Sequence, residues 1–110
     1  MTITLHTRTS PYETFPILAT VLVDDATLAS IEDGKTAYID TPRMGLMRIN
    51  RLDPRYIVTL VKTRDMGVPA GDNGTGSTLA EAMQRAASKW ADKHLSIDER
   101  LGLAPIAEVL

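Results

Sequence analysis

The sequence predicts an α+β fold: an antiparallel sheet of four to five strands with one long amphipathic helix, about 78–94, packed on one face. Two observations carry this. Leu79, Ala82, Met83, Ala86, Ala87, Trp90 and His94 recur at steps of three and four, so they form one helical stripe, with Glu81, Arg85, Ser88, Lys89, Asp92 and Lys93 on the other side. Five other segments are β-branched or alternate with a period of two, and the turns between the last three are short enough to make them antiparallel neighbours. A helix of about 17 residues spans roughly 25 Å, enough to cover several strands.

Taken in order, Thr2–Arg8 alternates, with Ile3 and Leu5 on one face and Thr2, Thr4 and His6 on the other. Pro11 and Pro16 break that pattern, and the β-branched run Ile17–Val23 favours a buried strand. Asp24 and Asp25 are good N-cap residues for a short helix near 25–33, and Gly34 is a natural stop. Strands follow at Lys35–Asp40, Leu46–Leu52 and Tyr56–Thr63, with a turn at Asp53-Pro-Arg55. In the last strand both faces are apolar, which predicts a central, covered position.

Residues 64–77 hold four glycines and a proline in fourteen positions and read as a Gly-rich loop, with Asn73-Gly74 able to form a tight hairpin turn. The pair Thr78 and Glu81 has the spacing of a capping box, as has Ser96 with Glu99, which opens a short C-terminal helix near 97–102. Beyond it, 101–110 is an apolar tail carrying Leu103, Ile106, Val109 and Leu110. It is expected to fold over the sheet; the alternative is a docking segment or homodimer seam.

The 110 residues suit a single domain, 1–110, with 44% hydrophobic and 24% charged residues. Cysteine is absent, which excludes disulfides, thiolate metal sites and cysteine nucleophiles. The first residues lack a basic start and apolar run, and no stretch is long enough for a membrane span, so a cytoplasmic protein without membrane contact is expected. The net charge of −2 argues against nucleic-acid binding through bulk charge. The charge is unevenly placed, however. Residues 24–40 sum to −4 and residues 41–64 to +5, and the two blocks are expected to neutralise each other across neighbouring strands.

The motifs for nucleophilic, zinc-dependent or phosphate-loop chemistry are missing, the two histidines lie on unrelated elements, and the paired acids are adjacent in sequence and so diverge. Neither an enzyme nor a cofactor or metal site is expected. The candidate partner-binding residues are Arg43, Arg48, Arg51, Arg55, Lys62 and Arg64, read as an arginine-rich sheet edge, with Gly71, Gly74 and Gly76 of the loop. These glycines lead into a helix N-terminus, an anion-binding geometry, but no lysine follows and Asp72 repels.

The order helix, three antiparallel strands, helix from Asp24 to Leu95 resembles double-stranded-RNA-binding domains, and Gly74, Gly76, Thr78, Ala82, Ala86 and Ala87 are similar to that family's glycine turn and alanine-rich second helix. Where the family places phosphate-binding lysines this chain has Leu79 and Ala80, so the resemblance does not carry RNA binding with it. The run Gly76-Ser-Thr-Leu-Ala-Glu-Ala also resembles the strand-to-helix turn of HicB-type antitoxins.

The expectation from the sequence is a non-enzymatic protein-binding protein that occupies a partner's surface, of the size of an accessory or inhibitor protein of a phage or mobile element. A nucleic-acid-binding module using the arginine-rich face and a homodimer joined through the tail are the alternatives.

Overall fold

The computed structural model describes residues 1–9, 15–61 and 72–101. In chain order the elements are β1 (Thr2–His6), β2 (Ile17–Leu22), α1 (Asp25–Glu32), β3 (Ala37–Thr41), β4 (Gly45–Leu52), β5 (Arg55–Val61), β6 (Asn73–Gly76), α2 (Leu79–His94) and α3 (Ile97–Leu101). The strands form two sheets, an antiparallel ribbon β1-β2 and a four-stranded sheet β3-β4-β5-β6. The α+β class, the long helix and an antiparallel sheet of four strands are present, but the strands of that sheet are not all the expected ones. Among the described residues the first two predicted strands pair only with each other, and a sixth strand comes from a segment whose glycines predict a loop.

That sixth strand is the main correction. Asn73–Gly76 pairs antiparallel with β5, setting Gly74 opposite Val58 and Gly76 opposite Tyr56. Glycine is a poor strand former, so local propensity points to a loop. Packing overrides it, because α2 lies directly on these two residues. A Cβ on Gly74 would stand 2.4 Å from the Ala86 nitrogen and 2.5 Å from the Ala82 oxygen, and one on Gly76 would stand 2.9 Å from the Ala82 nitrogen. No side chain fits between strand and helix backbone. The alanines Ala82, Ala86, Ala87 and Ala91 are fully buried and give the helix its matching low relief.

The ends of this contact are fastened too. Near the start of α2, Arg85 donates to the Thr75 oxygen of β6 at 2.7 Å, and Thr78 caps the helix by accepting the Glu81 N–H at 3.1 Å. At the other end Asp72, almost wholly buried, meets Lys93 at 3.0 Å, and its backbone oxygen accepts the Leu60 N–H at 2.8 Å. The helical stripe also shifts slightly from expectation. Ala91 is buried, whereas Trp90 is half-buried and stacks at 4.9 Å on the exposed His94. Trp90 thus packs against the edge of the core.

The rest of the core follows the strand periodicity. Met47 and Ile49 of β4 and Val58 and Leu60 of β5 point to the inner, helix-covered face of the four-stranded sheet. Ile3, Leu5, Leu18 and Val21 close the core from the ribbon. The ribbon is tied to α2 by the Gln84 side-chain amide, which accepts the His6 N–H at 2.9 Å and donates to the His6 oxygen at 2.7 Å. Helix α1 is capped by Asp24, whose carboxylate accepts the Thr27 N–H at 2.7 Å; that bond, with the one to the Thr27 hydroxyl, holds the carboxyl below its usual range. It ends before Gly34 at φ +83°, as expected. Ser96 and Glu99 form a reciprocal capping box at the start of α3. The stop at Gly102 and the course of the tail lie outside the described residues.

Gly74→Ala is expected to cost about 3 kcal/mol, because the atoms it meets are backbone and cannot turn aside. Gly34→Ala, at positive φ but with nothing within 4 Å, is expected to cost only about 1 kcal/mol. Urea unfolding of both variants checks the order; equal losses would mean that α2 is not held on β6 as described.

Candidate interaction surface

The arginine-rich run of the sequence does not form one stripe, because strand alternation divides it. In β4, Met47 and Ile49 point inward, so Arg51 points inward with them and Arg48 points outward. Across the hairpin, Arg51 stands opposite Tyr56, and Leu52 opposite Arg55. Arg55 therefore shares the outer face with Arg48, and Arg51 lies on the opposite one.

Arg51 is engaged within the fold. Its guanidinium approaches the Glu32 carboxylate at 3.3 Å and Asp53 at 3.2 Å, and stacks 5.8 Å above the Tyr56 ring. Tyr56 donates its hydroxyl proton to the same Glu32 carboxylate. This closed set ties the end of α1 to the β4–β5 hairpin, and it is where the acidic and basic blocks of the sequence meet. The hydrogen bond to Glu32 is the main cause that raises the Tyr56 pKa above its ordinary value.

Arg43 is also apart from the others. It sits at φ +70° in the turn between β3 and β4, whereas Arg55 opens β5 at the other end of the sheet. The eight residues of β4 between those ends span roughly 23 Å. Gly74 and Gly76 are buried beneath α2 and offer a partner nothing, and Asp72 is a helix-pairing residue rather than a guard on an anion cradle. Lys62, Arg64 and Gly71, together with Leu103, Ile106, Val109 and Leu110 of the tail, lie outside the described residues.

What alternation does bring together is the outer face of the β4–β5 hairpin. Arg48 and Arg55 share it with Tyr38, Leu46, Leu52 and Ile57. Leu52 is 62% exposed; Leu46 and Ile57 are half-buried. Among the described residues no helix packs there: α1 and α2 both contact the inner face, through Glu32 and through Gly74 and Gly76 respectively. Towards the other end of β5 the same face closes, with Thr59 and Val61 buried, as its apolar pattern predicts. The apolar members of this surface are not marked out by spacing along the sequence. Carrying the alternation of Leu46–Leu52 across the turn in register would have aligned Leu52 with Arg55.

Among the described residues no group of three metal-binding side chains gathers, and no helix is long and apolar enough to cross a membrane. No family model matches the chain, and comparison with curated proteins and with solved structures gives no significant match. The helix, three strands, helix order shared with double-stranded-RNA-binding domains is present from α1 onward, but β6 stands between the third of those strands and α2.

Tyr56→Phe is expected to destabilise the protein by about 0.5–1 kcal/mol at neutral pH, the low end for a hydrogen bond because the pair is solvent-accessible. A raised tyrosine pKa gives stability that is complete below the unfolded value near 10 and lost as pH rises through the higher folded value. Thermal melts between pH 8 and 11 should therefore show a smaller alkaline loss in the variant than in the wild type.

Proposed function

We propose that this chain is a non-enzymatic binding protein that acts by occupying a partner protein's surface, with the outer face of the β4–β5 hairpin as the contact. The observation that carries this is the exposed Leu52 beside Arg55, with the half-buried Ile57 on the same face, which no described helix covers. Large apolar side chains flanked by arginine and tyrosine are the make-up of interface centres. Phosphate recognition calls instead for aligned cations, and Arg51, turned to the inner face and bound to Glu32 and Asp53, interrupts the alignment. The chain's size fits an accessory or inhibitor protein that works by blocking.

The test is a tagged pull-down from lysate, with and without nuclease, using the wild type and a Leu52→Asp, Arg55→Glu double variant. Both positions are exposed, so the variant's melting temperature should stay within a few degrees of the wild type. A protein retained after nuclease and weakened at least tenfold by the variant, about 1.4 kcal/mol, is the expected result. Retention unaffected by the variant would rule this face out. Material lost on nuclease or steeply with salt would move the assignment to nucleic acid.

A further inference from the structure

Among the described residues the outer edge of β1 has no strand paired to it, and it lies on a different part of the molecule from the β4–β5 hairpin. Met1 and Val23 exchange both backbone hydrogen bonds, each at 2.7 Å. In an antiparallel pair these exchanges alternate, so Ile3 opposite Val21 and Leu5 opposite Ala19 bond across the ribbon, and the N–H and C=O groups of Thr2 and Thr4 point away from β2. His6 also points away, and the Gln84 side chain takes its partners' place. One amide accepts the His6 N–H and donates to the His6 oxygen, as the backbone of a neighbouring strand would.

Beside Thr4 the helix no longer supplies such a group. A groove of about 420 Å³ opens between the β1 edge and the first turns of α2, lined by Thr4, His6 and Thr9 on one side and Ala80, Glu81 and Gln84 on the other. Thr2 and Thr4 are exposed, and no described group is hydrogen-bonded to their outward N–H and C=O. β1 contains no lysine, acid or proline, the residue types that commonly discourage pairing at an edge.

We propose that this groove binds an extended peptide segment of a partner protein, which adds to β1 as a third strand of the ribbon. The second wall decides between a peptide and a second copy of this chain. With α2 standing as a second wall along the groove, the incoming strand has to be a single extended segment, since one that carries its own sheet and helix would meet that wall. Thr2 and Thr4 together offer two donors and two acceptors, which an extended segment of four or five residues meets. Glu81 is paired with Arg85, so the wall is close to neutral, and the small Ala80 leaves room for an apolar side chain. The segment is therefore uncharged and β-prone, with an aliphatic residue facing Ala80. This site does not depend on the hairpin face, and either can fail without the other.

A phage-displayed library of random twelve-residue peptides, panned on the intact protein, is the probe. Thr4→Pro removes only an outward N–H and leaves the bonds to β2 in place, since proline is tolerated on an edge strand. Ala80→Trp fills the groove without altering β1. The expected result is enriched uncharged, β-prone peptides that shift the Thr2 and Thr4 amide resonances and lose at least tenfold in affinity in both variants. No enrichment over the Thr4→Pro control, or peptides that bind Ala80→Trp as well as wild type, would overturn the proposal. Circular dichroism of each variant establishes that it is folded, and should Thr4→Pro not fold, Ala80→Trp decides alone.

Discussion

Helix α2 rests on the backbone of β6, and most of the architecture depends on how close that contact is. Gly74 and Gly76 let the helix approach until a single methyl group would collide with its main chain, and the alanines above them keep the helix surface flat. The closeness places Met83 and Ala87 in the core between ribbon and sheet. It also puts Gln84 within reach of His6, which joins the two sheets through one helix. A larger residue at either glycine would lift the helix and loosen the bond to the ribbon and the core seam together. Asp72 with Lys93 and Arg85 with the Thr75 oxygen tie the helix to the strand at two points.

The strand period then decides which charges are structural. Consecutive members of the arginine run look equivalent along the chain, but one step in a strand moves a side chain to the other face. Arg51 thereby becomes part of the fold, bridging α1 and the hairpin through Glu32 and Asp53, while Arg48 and Arg55 stand outside among Leu46, Leu52 and Ile57. The same rule sorts the backbone groups of β1, turning those of Thr2, Thr4 and His6 away from the ribbon. Both surfaces proposed for binding are products of alternation, one through side chains and the other through main-chain groups.

Much of this was legible in the sequence. The stripe of α2, the caps Asp24, Thr78 and Ser96, the stop at Gly34 and the central position of β5 all rest on local rules that tertiary packing leaves intact. Asn73–Gly76 was not legible, because glycine signals a turn and only the proximity of Ala82 and Ala86 makes it a strand. The division into two sheets was equally hidden, since pairing between strands distant in sequence is not written in either one. Arg43, Arg48, Arg51 and Arg55 were grouped by spacing along the chain, and register separated them. Leu52 and Ile57 were overlooked because an apolar residue in a strand is ordinarily core, and their exposure follows from which face the helices chose.

Native-state hydrogen exchange tests the central claim most directly. If α2 and β6 close the core as one unit with β5, the amides of Leu60, bonded to the Asp72 oxygen, and of Ala86 and Ala87 in α2 should exchange only through global unfolding, with equal free energies of opening. Exchange of the α2 amides at a markedly lower free energy than that of Leu60 would show that the helix lifts off an independently stable sheet, and would contradict the account.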